Sequence, residues 1–285
     1  MTETNNLLDD LVNGYSRLEN ENLARNPSAL HRKKEIIDLV RTQGFLSIEA
    51  LAKHFSVTSQ TIRRDVNELA KKGLLRRYHG GAGLPSSVEN LGYQARKVFC
   101  SSGKVRIART LAKHIPNEAS LFIDIGTTAE EVAKALCEHK GLRIITNNLN
   151  AACTLSEKSD FEVFVTGGIV RSGDRGITGE ATIDFINQFN VDFGIISISG
   201  IDAEGSLLDF DYSEVRVGQA IISRSRKVFL AADHTKFGRD AMVRICKITD
   251  VDALFTDQAP PQPMANLLSA AQVEVFIADA EIGTD

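Results

Sequence analysis

The sequence predicts an α/β chain, in which an N-terminal winged helix-turn-helix precedes a C-terminal, mainly parallel sheet. Residues 47–81 contain two short helical patterns joined by a tight turn, then a basic hairpin bounded by Gly80 and Gly81. From Lys104 onwards, short apolar strands alternate with helices, which indicates a parallel sheet covered on both faces. A chain of 285 residues has room for about two domains.

Three helices are predicted in the first domain. The first spans residues 31–43 and carries an apolar face. Ser47 is expected to cap the second helix, and Thr58 or Ser59 the third, which ends at Gly73. The predicted divisions of the chain are a tail (1–29), the winged helix-turn-helix (30–85), a linker with one short helix (86–103) and the second domain (104–285).

The third helix has a buried stripe and a polar stripe. Ile62, Val66 and Leu69 fall at i, i+4 and i+7 and therefore share one face. The polar residues suit the edges of bases or the phosphates of the DNA major groove. The residues predicted to contact DNA are Ser59, Gln60, Thr61, Arg63, Arg64 and Asn67 on this helix, with Arg76, Arg77 and His79 on the wing.

The charge distribution also favours a polyanionic partner for the first domain only. Residues 30–81 carry 11 lysines and arginines against 5 aspartates and glutamates, although the whole chain has a net charge of −4. The sequence lacks an apolar run long enough to span a membrane and a secretory signal at its start. Its four scattered cysteines are typical of reduced thiols in a cytoplasmic protein.

The second domain is predicted from alternating apolar segments. Strands are expected at residues 120–125, 142–146, 161–166, 191–199, 227–232 and 253–256, with helices at 104–114, 128–139 and 149–158.

Small and polar residues follow these strands, at the edge where ligands bind in open parallel sheets. Glycine lets the backbone approach a ligand, and a helix that begins after Gly126 directs free N–H groups at an anion. A single glycine-containing segment of this kind is usually a plain strand-to-helix turn. Five such segments on one edge of the sheet favour a binding site for a small phosphorylated ligand. The residues are Asp124, Gly126, Thr127, Thr128, Asn147, Asn148, Gly167, Gly168, Asp202 and Lys236.

Other polar groups are predicted to have no role in a site. Arg171, Asp174 and Arg175 lie in a Gly-rich loop and are expected to be solvated rather than catalytic. Asp209, Asp211 and Glu214 lack the histidine or further carboxylates expected of a metal site. No cofactor, metal site or catalytic set is predicted.

Several long motifs resemble the DeoR-type bacterial repressors. SIEALAKHFSVTSQTIRRDVNELAKKGLLRRYHGGA resembles their N-terminal module, and FIDIGTTAEEVAKAL, ITNNLNAA, VTGGIVR and AADHTKFGRDAM resemble their effector domain. That domain is similar to ribose-5-phosphate isomerase, which implies a sugar-phosphate pocket without turnover. The resemblance assigns phosphate binding to Gly126, Thr127 and Thr128. It assigns pocket roles to Asp124, Asn147, Asn148, Gly167, Gly168, Asp202 and Lys236.

The resemblance also implies partners and a mechanism. It implies a homo-oligomer, a dimer or tetramer, on a repeated double-stranded operator, and an effector that lowers DNA affinity. It favours glycerol 3-phosphate as that effector and genes of glycerol and sugar-phosphate metabolism as targets. Two alternatives stay open. In the first, the chain is an isomerase-like enzyme with an appended DNA-binding module, and its general base is Asp124, Asp202 or Asp209. In the second, the chain activates transcription instead of repressing it.

Overall fold

The computed structural model describes residues 27–43, 45–71, 74–78, 80–83 and 93–279. The chain divides into two compact units, Met1–Ser86 and Ser87–Asp285. The predictions for the tail before residue 27, for the helix end at Gly73 and for His79 lie outside the described residues.

The described part of the first unit contains three helices and a small antiparallel sheet. Helix α1 spans Pro27–Gln43, α2 spans Ile48–His54 and α3 spans Ser59–Lys71. Strands β1 (Phe45–Ser47), β2 (Arg76–Tyr78) and β3 (Gly81–Gly83) pair in the order β1-β3-β2. Strands β2 and β3 form the predicted wing, and β1 is a strand that the sequence pattern did not indicate.

Hydroxyl caps set the starts of α2 and α3. Ser47 Oγ accepts a hydrogen bond from the backbone N–H of Ala50 at 3.0 Å. Thr58 Oγ1 accepts one from the N–H of Thr61 at 3.2 Å. These bonds satisfy N–H groups that the first turn of a helix leaves unpaired. Both predicted helix starts are confirmed.

The buried stripe of α3 forms part of the first unit's core. Ile62, Val66 and Leu69 are each 0% exposed, as the i, i+4, i+7 spacing predicted. They belong to one cluster with side chains from the other elements, namely Ile36, Ile37, Val40, Ile48, Leu51, Leu74, Leu75 and Ala82. The stripe thus fixes which face of α3 points outwards.

The second unit contains strands that form one large sheet and two small ones. In chain order they are β4 (Ser120–Ile123), β5 (Arg143–Thr146), β6 (Glu162–Val165), β7 (Ile169–Val170), β8 (Ile177–Thr178), β9 (Val191–Ile196), β10 (Gly200–Ile201), β11 (Ser206–Asp209), β12 (Ser225–Ala231), β13 (Val243–Lys247), β14 (Ala253–Thr256) and β15 (Glu274–Ile277).

Helices precede the first of these strands and lie between the later ones along the chain. They are α4 (Tyr93–Val98), α5 (Ser101–Ala112), α6 (Thr127–Leu136), α7 (Leu149–Leu155), α8 (Glu180–Ile186), α9 (Tyr212–Ser223) and α10 (Gln262–Ala270). Short 3-10 turns occur at His234–Lys236 and Ile248–Asp250.

Among the described residues, the large sheet has seven strands in the order β15-β14-β12-β9-β4-β5-β6. Every neighbouring pair is parallel. The carboxyl ends of all seven strands therefore lie on one edge, as the sequence predicted. Two antiparallel additions, β7-β8 and β10-β11-β13, accompany the large sheet.

Helices cover both faces of the large sheet, and two apolar cores result. Alternate residues of β4 divide between them, because successive side chains of a strand point to opposite faces. Leu121 and Ile123 join one core with residues of α5, α6 and α7. Phe122 joins the other core with residues of α8, α9 and α10. The predicted class, a mainly parallel sheet covered on both sides, is confirmed.

Helix α4 is the short helix that was expected within the linker. Two differences from the predicted elements concern the site. Helix α5 begins at Ser101, before the predicted Lys104. Strand β9 ends at Ile196, before the predicted Ser199. Helix α9 and the small antiparallel sheets were not predicted. Within the described part of the chain, no helix is both long and apolar enough to cross a membrane.

Candidate nucleic-acid interface and anion pocket

Helix α3 presents a polar surface opposite its buried stripe. Gln60, Arg63 and Arg64 are exposed, whereas Ser59, Thr61 and Asn67 are half-buried. The Thr61 hydroxyl lies 3.0 Å from Thr58 Oγ1, so it takes part in the helix start. The exposed guanidinium and amide groups are those that form bidentate contacts with guanine and adenine.

Two ion pairs hold α3 against α1. Arg32 Nε donates to Asp65 Oδ2 at 2.6 Å, and Asp65 is buried. Lys33 pairs with the more exposed Glu68. These contacts place the two acidic groups of α3 on the side of α1, so that they do not oppose a phosphate backbone.

The wing carries the second predicted group of contacts. Arg77 on β2 is exposed and Arg76 is half-buried. Tyr78 packs edge-on against Phe45, with ring centroids 6.0 Å apart. A Cβ atom on Gly81 would lie 2.2 Å from the Phe45 ring, so this position requires glycine. The close contact fixes β3 against β1 and leaves the Arg77 side chain at the surface.

In the second unit, helix α6 starts at the carboxyl edge of the large sheet. Its N-cap, Gly126, has φ of 127° and provides no side-chain cap. A Cβ atom there would lie 2.1 Å from Ser197 Oγ, which itself donates to the Ile125 carbonyl at 2.8 Å. The first N–H groups of a helix without a side-chain cap form a site for an anion.

Asp124 lies directly before this helix start and is buried. Its carboxylate accepts the N–H of Ile125 at 2.8 Å and is hydrogen-bonded by the Asn147 side chain. Asn148 Nδ2 donates to the Asp124 carbonyl at 3.4 Å. Asn148 Oδ1 also caps α7, accepting the N–H groups of Asn150 and Ala151. The structure therefore brings these three predicted site residues together.

The two predicted threonines begin α6. Both are buried, and Thr127 Oγ1 lies 3.4 Å from the backbone carbonyl of Arg96, to which it donates. Arg96 belongs to α4, so the helix start is in contact with a segment that the sequence indicated as a linker with a short helix and without a role in the site.

Two further parts of the predicted site have different surroundings: the glycine pair that follows β6, and Asp202. Gly167 is exposed, and a Cβ atom on it would meet open space. Gly168 has φ of 140° and lies against Thr182, whose hydroxyl donates to the Gly167 carbonyl at 2.7 Å. Asp202 lies in the turn between β10 and β11, where its carboxylate accepts the N–H of Ser206 at 2.6 Å. The hydrogen bond described for the Asp202 carboxylate therefore stabilises the turn that contains Asp202.

A small pocket opens beside the start of α6. Its walls include Arg96, Asp124, Gly126, Ser197, Asp209 and Glu214. Asp209 is buried and accepts hydrogen bonds from the Ser199 hydroxyl at 3.0 Å and from the N–H of Phe210 at 2.7 Å. Among the described lining residues, Arg96 is the cationic one.

Burial shifts the pKa of three ionisable groups in and near this pocket. It raises the pKa of Asp124 to about 7 and also raises the pKa of Asp209. It lowers the pKa of Lys236, which is half-buried, to about 7, although the nearby Asp233 opposes this effect. Neutral carboxyl groups repel an anion less than carboxylates do, and they can donate hydrogen bonds to hydroxyl groups.

The expectation that Arg171 and Asp174 are solvated is wrong. Asp174 is buried, and Arg171 Nε donates to Asp174 Oδ1 at 3.2 Å. Arg171 also pairs with Asp211 at 3.4 Å and with Glu214. A buried carboxylate needs a cationic partner, and the loop folds back to supply one. These carboxylates therefore form ion pairs with arginine.

Sequence reasoning missed several members of the pocket wall. Arg96 and Glu214 stand away from the polar clusters that follow the strands, whereas Ser197 directly follows β9 but fell inside the predicted strand 191–199. Arg96 lies in a segment without regular periodicity, and the unpredicted helix α9 carries Glu214. No local signal in the sequence identifies them.

One further cluster has the composition of a cation site. Ligand atoms of Cys100, Asp233 and His234 lie within 4.8 Å of one another among the described residues. His234 Nδ1 and Asp257 Oδ2 are 2.8 Å apart, and this hydrogen bond raises the pKa of His234.

Two family descriptions match the chain. Residues 32–88 match the DeoR-like helix-turn-helix domain, and residues 100–258 match the DeoR C terminal sensor domain. The sensor match includes the whole edge from Asp124 to Lys236.

Curated proteins resemble nearly the whole chain. The glycerol-3-phosphate regulon repressor of Escherichia coli (strain K12) is 55% identical over 86% of this chain and 97% of its own length. Its namesake from Haemophilus influenzae is 51% identical over 88% of this chain and 98% of its own. Among solved structures, a ribose 5-phosphate isomerase from Plasmodium falciparum has a TM-score of 0.35 and 12% identity, covering 47% of this chain and 52% of its own.

Both domain matches and the level of identity agree with the geometry of the two units. The chain is therefore a DNA-binding transcriptional repressor of the DeoR family, with a helix-turn-helix domain followed by a sensor domain.

Proposed function

We propose that this chain represses genes of glycerol and sugar-phosphate metabolism, and that it leaves its operator when glycerol 3-phosphate binds. The names of the relatives at 55% and 51% identity support the choice of regulon. Residues 30–85 are the proposed DNA-binding domain, residues 86–103 the linker and residues 104–285 the effector domain. A dimer or tetramer on a repeated operator completes the proposal.

The DNA-binding domain uses α3 for base contacts and the wing for phosphate or minor-groove contacts. Gln60, Arg63 and Arg64 are the exposed side chains on α3, with Ser59, Thr61 and Asn67 beside them. Arg76, Arg77 and His79 are the contacts proposed for the wing. A good bidentate base contact discriminates by about 1–3 kcal/mol.

The uncapped start of α6 is the observation that carries the effector site. Gly126, Thr127 and Thr128 offer backbone N–H groups and hydroxyls there, and Lys236 supplies positive charge. A phosphate near Lys236 would raise the lysine's pKa from about 7, so that the ligand promotes the charge that binds it.

The polyol part of the effector requires hydroxyl partners. Asp124 and Asp209 carry raised pKa values and are therefore suited to bond hydroxyl groups. Asn147, Asn148, Gly167 and Gly168 are proposed as surrounding positions, and Asp202 as a support for the neighbouring hairpin.

Effector binding must favour a state that docks poorly on DNA, since a ligand shifts an equilibrium only by its differential affinity. A coupling of about 1–3 kcal/mol changes operator affinity about 5–150-fold. The chain is proposed not to be an enzyme. The pKa of about 7 at Asp124 nevertheless supports one alternative, a sugar-phosphate isomerase, because a general base works best near the ambient pH.

The test combines ligand binding with operator affinity. Thermal shift against polyol and sugar phosphates should show the largest rise for glycerol 3-phosphate. Calorimetry should show weaker binding in Thr127→Val and Lys236→Ala, while fluorescence anisotropy gives unchanged operator affinity without ligand. Undiminished ligand affinity in both variants contradicts the phosphate site, and sustained turnover of pentose or triose phosphates in NMR spectra favours the isomerase.

A further inference from the structure

Arg96 is placed to sense an anion at the start of α6. Arg96 lines the pocket together with Gly126, and its backbone carbonyl accepts the hydroxyl of Thr127 at 3.4 Å. The main chain of this residue therefore lies against the helix start that is the proposed phosphate position. Arg96 Nε is buried and has no hydrogen-bond partner among the described atoms.

Asp174, the ion-pair partner of Arg96, is also paired with a second arginine, Arg171. Arg96 Nη2 lies 3.3 Å from Asp174 Oδ2, while Arg171 contacts both carboxylate oxygens of Asp174. The N–H of Gly176 also donates to Asp174 at 3.2 Å. Because Arg171 and Gly176 remain, Arg96 can leave Asp174 without exposing an unpaired buried carboxylate.

Polar contacts near both ends of helix α4 hold it on the sensor domain. Tyr93 Oη donates to Glu130, with distances of 3.0 and 2.9 Å to the two oxygens, and accepts from Asn150 at 3.1 Å. At the other end, the buried Lys104 donates to the carbonyls of Arg96 and Phe99. Residues 84–92 join this helix to the DNA-binding domain. Helix α4 is therefore the first described element after that connection along the chain.

We propose that Arg96 binds the phosphate of the effector, exchanging Asp174 for it, and that α4 transmits this exchange towards the DNA-binding domain. The inference rests on the proposed function, because it needs a phosphate at the start of α6. A charge-assisted contact between guanidinium and phosphate is stronger than one between neutral groups, and the planar fork allows two parallel bonds. The ligand thereby recruits both Arg96 and the Thr127 hydroxyl.

The binding test uses matched arginine substitutions and glycerol 3-phosphate as the probe. Arg96→Gln should weaken binding about tenfold or more in calorimetry, and Arg96→Lys should weaken it less. The control is Arg143→Gln, since Arg143 is exposed and pairs with Glu162 at the amino-terminal ends of β5 and β6. The control should bind like the wild type. Wild-type affinity in Arg96→Gln, with weakened binding in Thr127→Val, overturns this inference alone.

The transmission step has its own readout. Hydrogen exchange of the amides of α4 should change about threefold or more when glycerol 3-phosphate saturates the wild type. The Arg143→Gln variant should show the same change in exchange as the wild type. The Arg96→Gln variant, saturated with the same ligand, should show no change in the exchange of the α4 amides. Unchanged exchange in the saturated wild type overturns transmission through α4. If the wild type binds no glycerol 3-phosphate, the proposed function and this inference both fail.

Discussion

Arg32 on α1 and Asp65 on the buried side of α3 form an ion pair with 2.6 Å between Nε and Oδ2. Only 15% of the Arg32 side chain and 5% of the Asp65 side chain are exposed. The pair therefore fixes the rotation of the helix that presents Arg63 and Arg64. A contact outside the proposed DNA-binding surface thus helps the buried stripe of α3 to set the geometry of that surface.

Replacing Arg32 by leucine leaves the Asp65 carboxylate buried without its cation. The DNA-binding domain should lose about 3–5 kcal/mol of stability, measured by hydrogen exchange of peptides within residues 27–83. The double variant Arg32→Leu with Asp65→Leu should recover most of the loss, because two apolar groups can replace a buried pair. Equal instability of the single and double variants would show that the ion pair is not the cause.

Replacing Arg64 by alanine should weaken specific operator binding strongly while the fold persists. Arg64 is exposed on α3, so its loss removes no core contact. Loss of a bidentate base contact of about 1–3 kcal/mol predicts a fall in operator affinity of about 5–150-fold in a gel shift. Lys71→Ala is the control, because Lys71 is an exposed residue in the last turn of the same helix. Unchanged operator affinity in Arg64→Ala would remove this residue from the interface.

Replacing Gly126 by alanine should destabilise the sensor domain. The residue has φ of 127°, and the new Cβ would lie 2.1 Å from Ser197 Oγ. Strain of this kind costs about 1–3 kcal/mol, so the Tm should fall by several degrees. Gly167→Ala provides the comparison, since its Cβ would meet open space. A Tm for Gly126→Ala equal to that of Gly167→Ala would contradict the steric explanation.

Replacing Asp124 by asparagine should stabilise the sensor domain at pH 8. Its folded-state pKa of about 7 lies above the ordinary 3.8, so its favourable contribution is complete below about pH 4 and disappears as the pH rises through 7. The gain relative to the wild type should grow over that range, to at most about 4 kcal/mol.

Asp192 provides a control of opposite sign for the Asp124 experiment. Hydrogen bonds from Ser120 lower the Asp192 pKa, so its stabilising effect is present at neutral pH and is lost on acidification. Asp192→Asn should therefore lower the Tm at pH 8 and have less effect below pH 4. A pH-independent effect of Asp124→Asn on Tm would show that this carboxyl group titrates normally.

Local patterns in the sequence were sufficient for the elements that repeat regularly. Ile62, Val66 and Leu69 identified the inner face of α3, and the apolar run before Asp124 identified β4. The parallel arrangement then brought Asp124 and Asn147 to one edge, because hydrogen-bonded β4 and β5 end side by side.

Groups brought together by distant packing could not be predicted in this way. Arg96 reaches the pocket because α4 docks on α6, which depends on Tyr93 and Glu130 far apart in the sequence. Strand β10 comprises only two residues and has no detectable alternation, so the turn containing Asp202 was assigned to a strand end.

The uniform direction of the seven strands separates two kinds of loop. Loops after the strands are free to vary with the chemistry of the small molecule, while loops before them close the layers. With the proposed effector site on one rim, a repressor of this architecture would acquire a new ligand by exchanging a few residues there, without rebuilding either apolar layer.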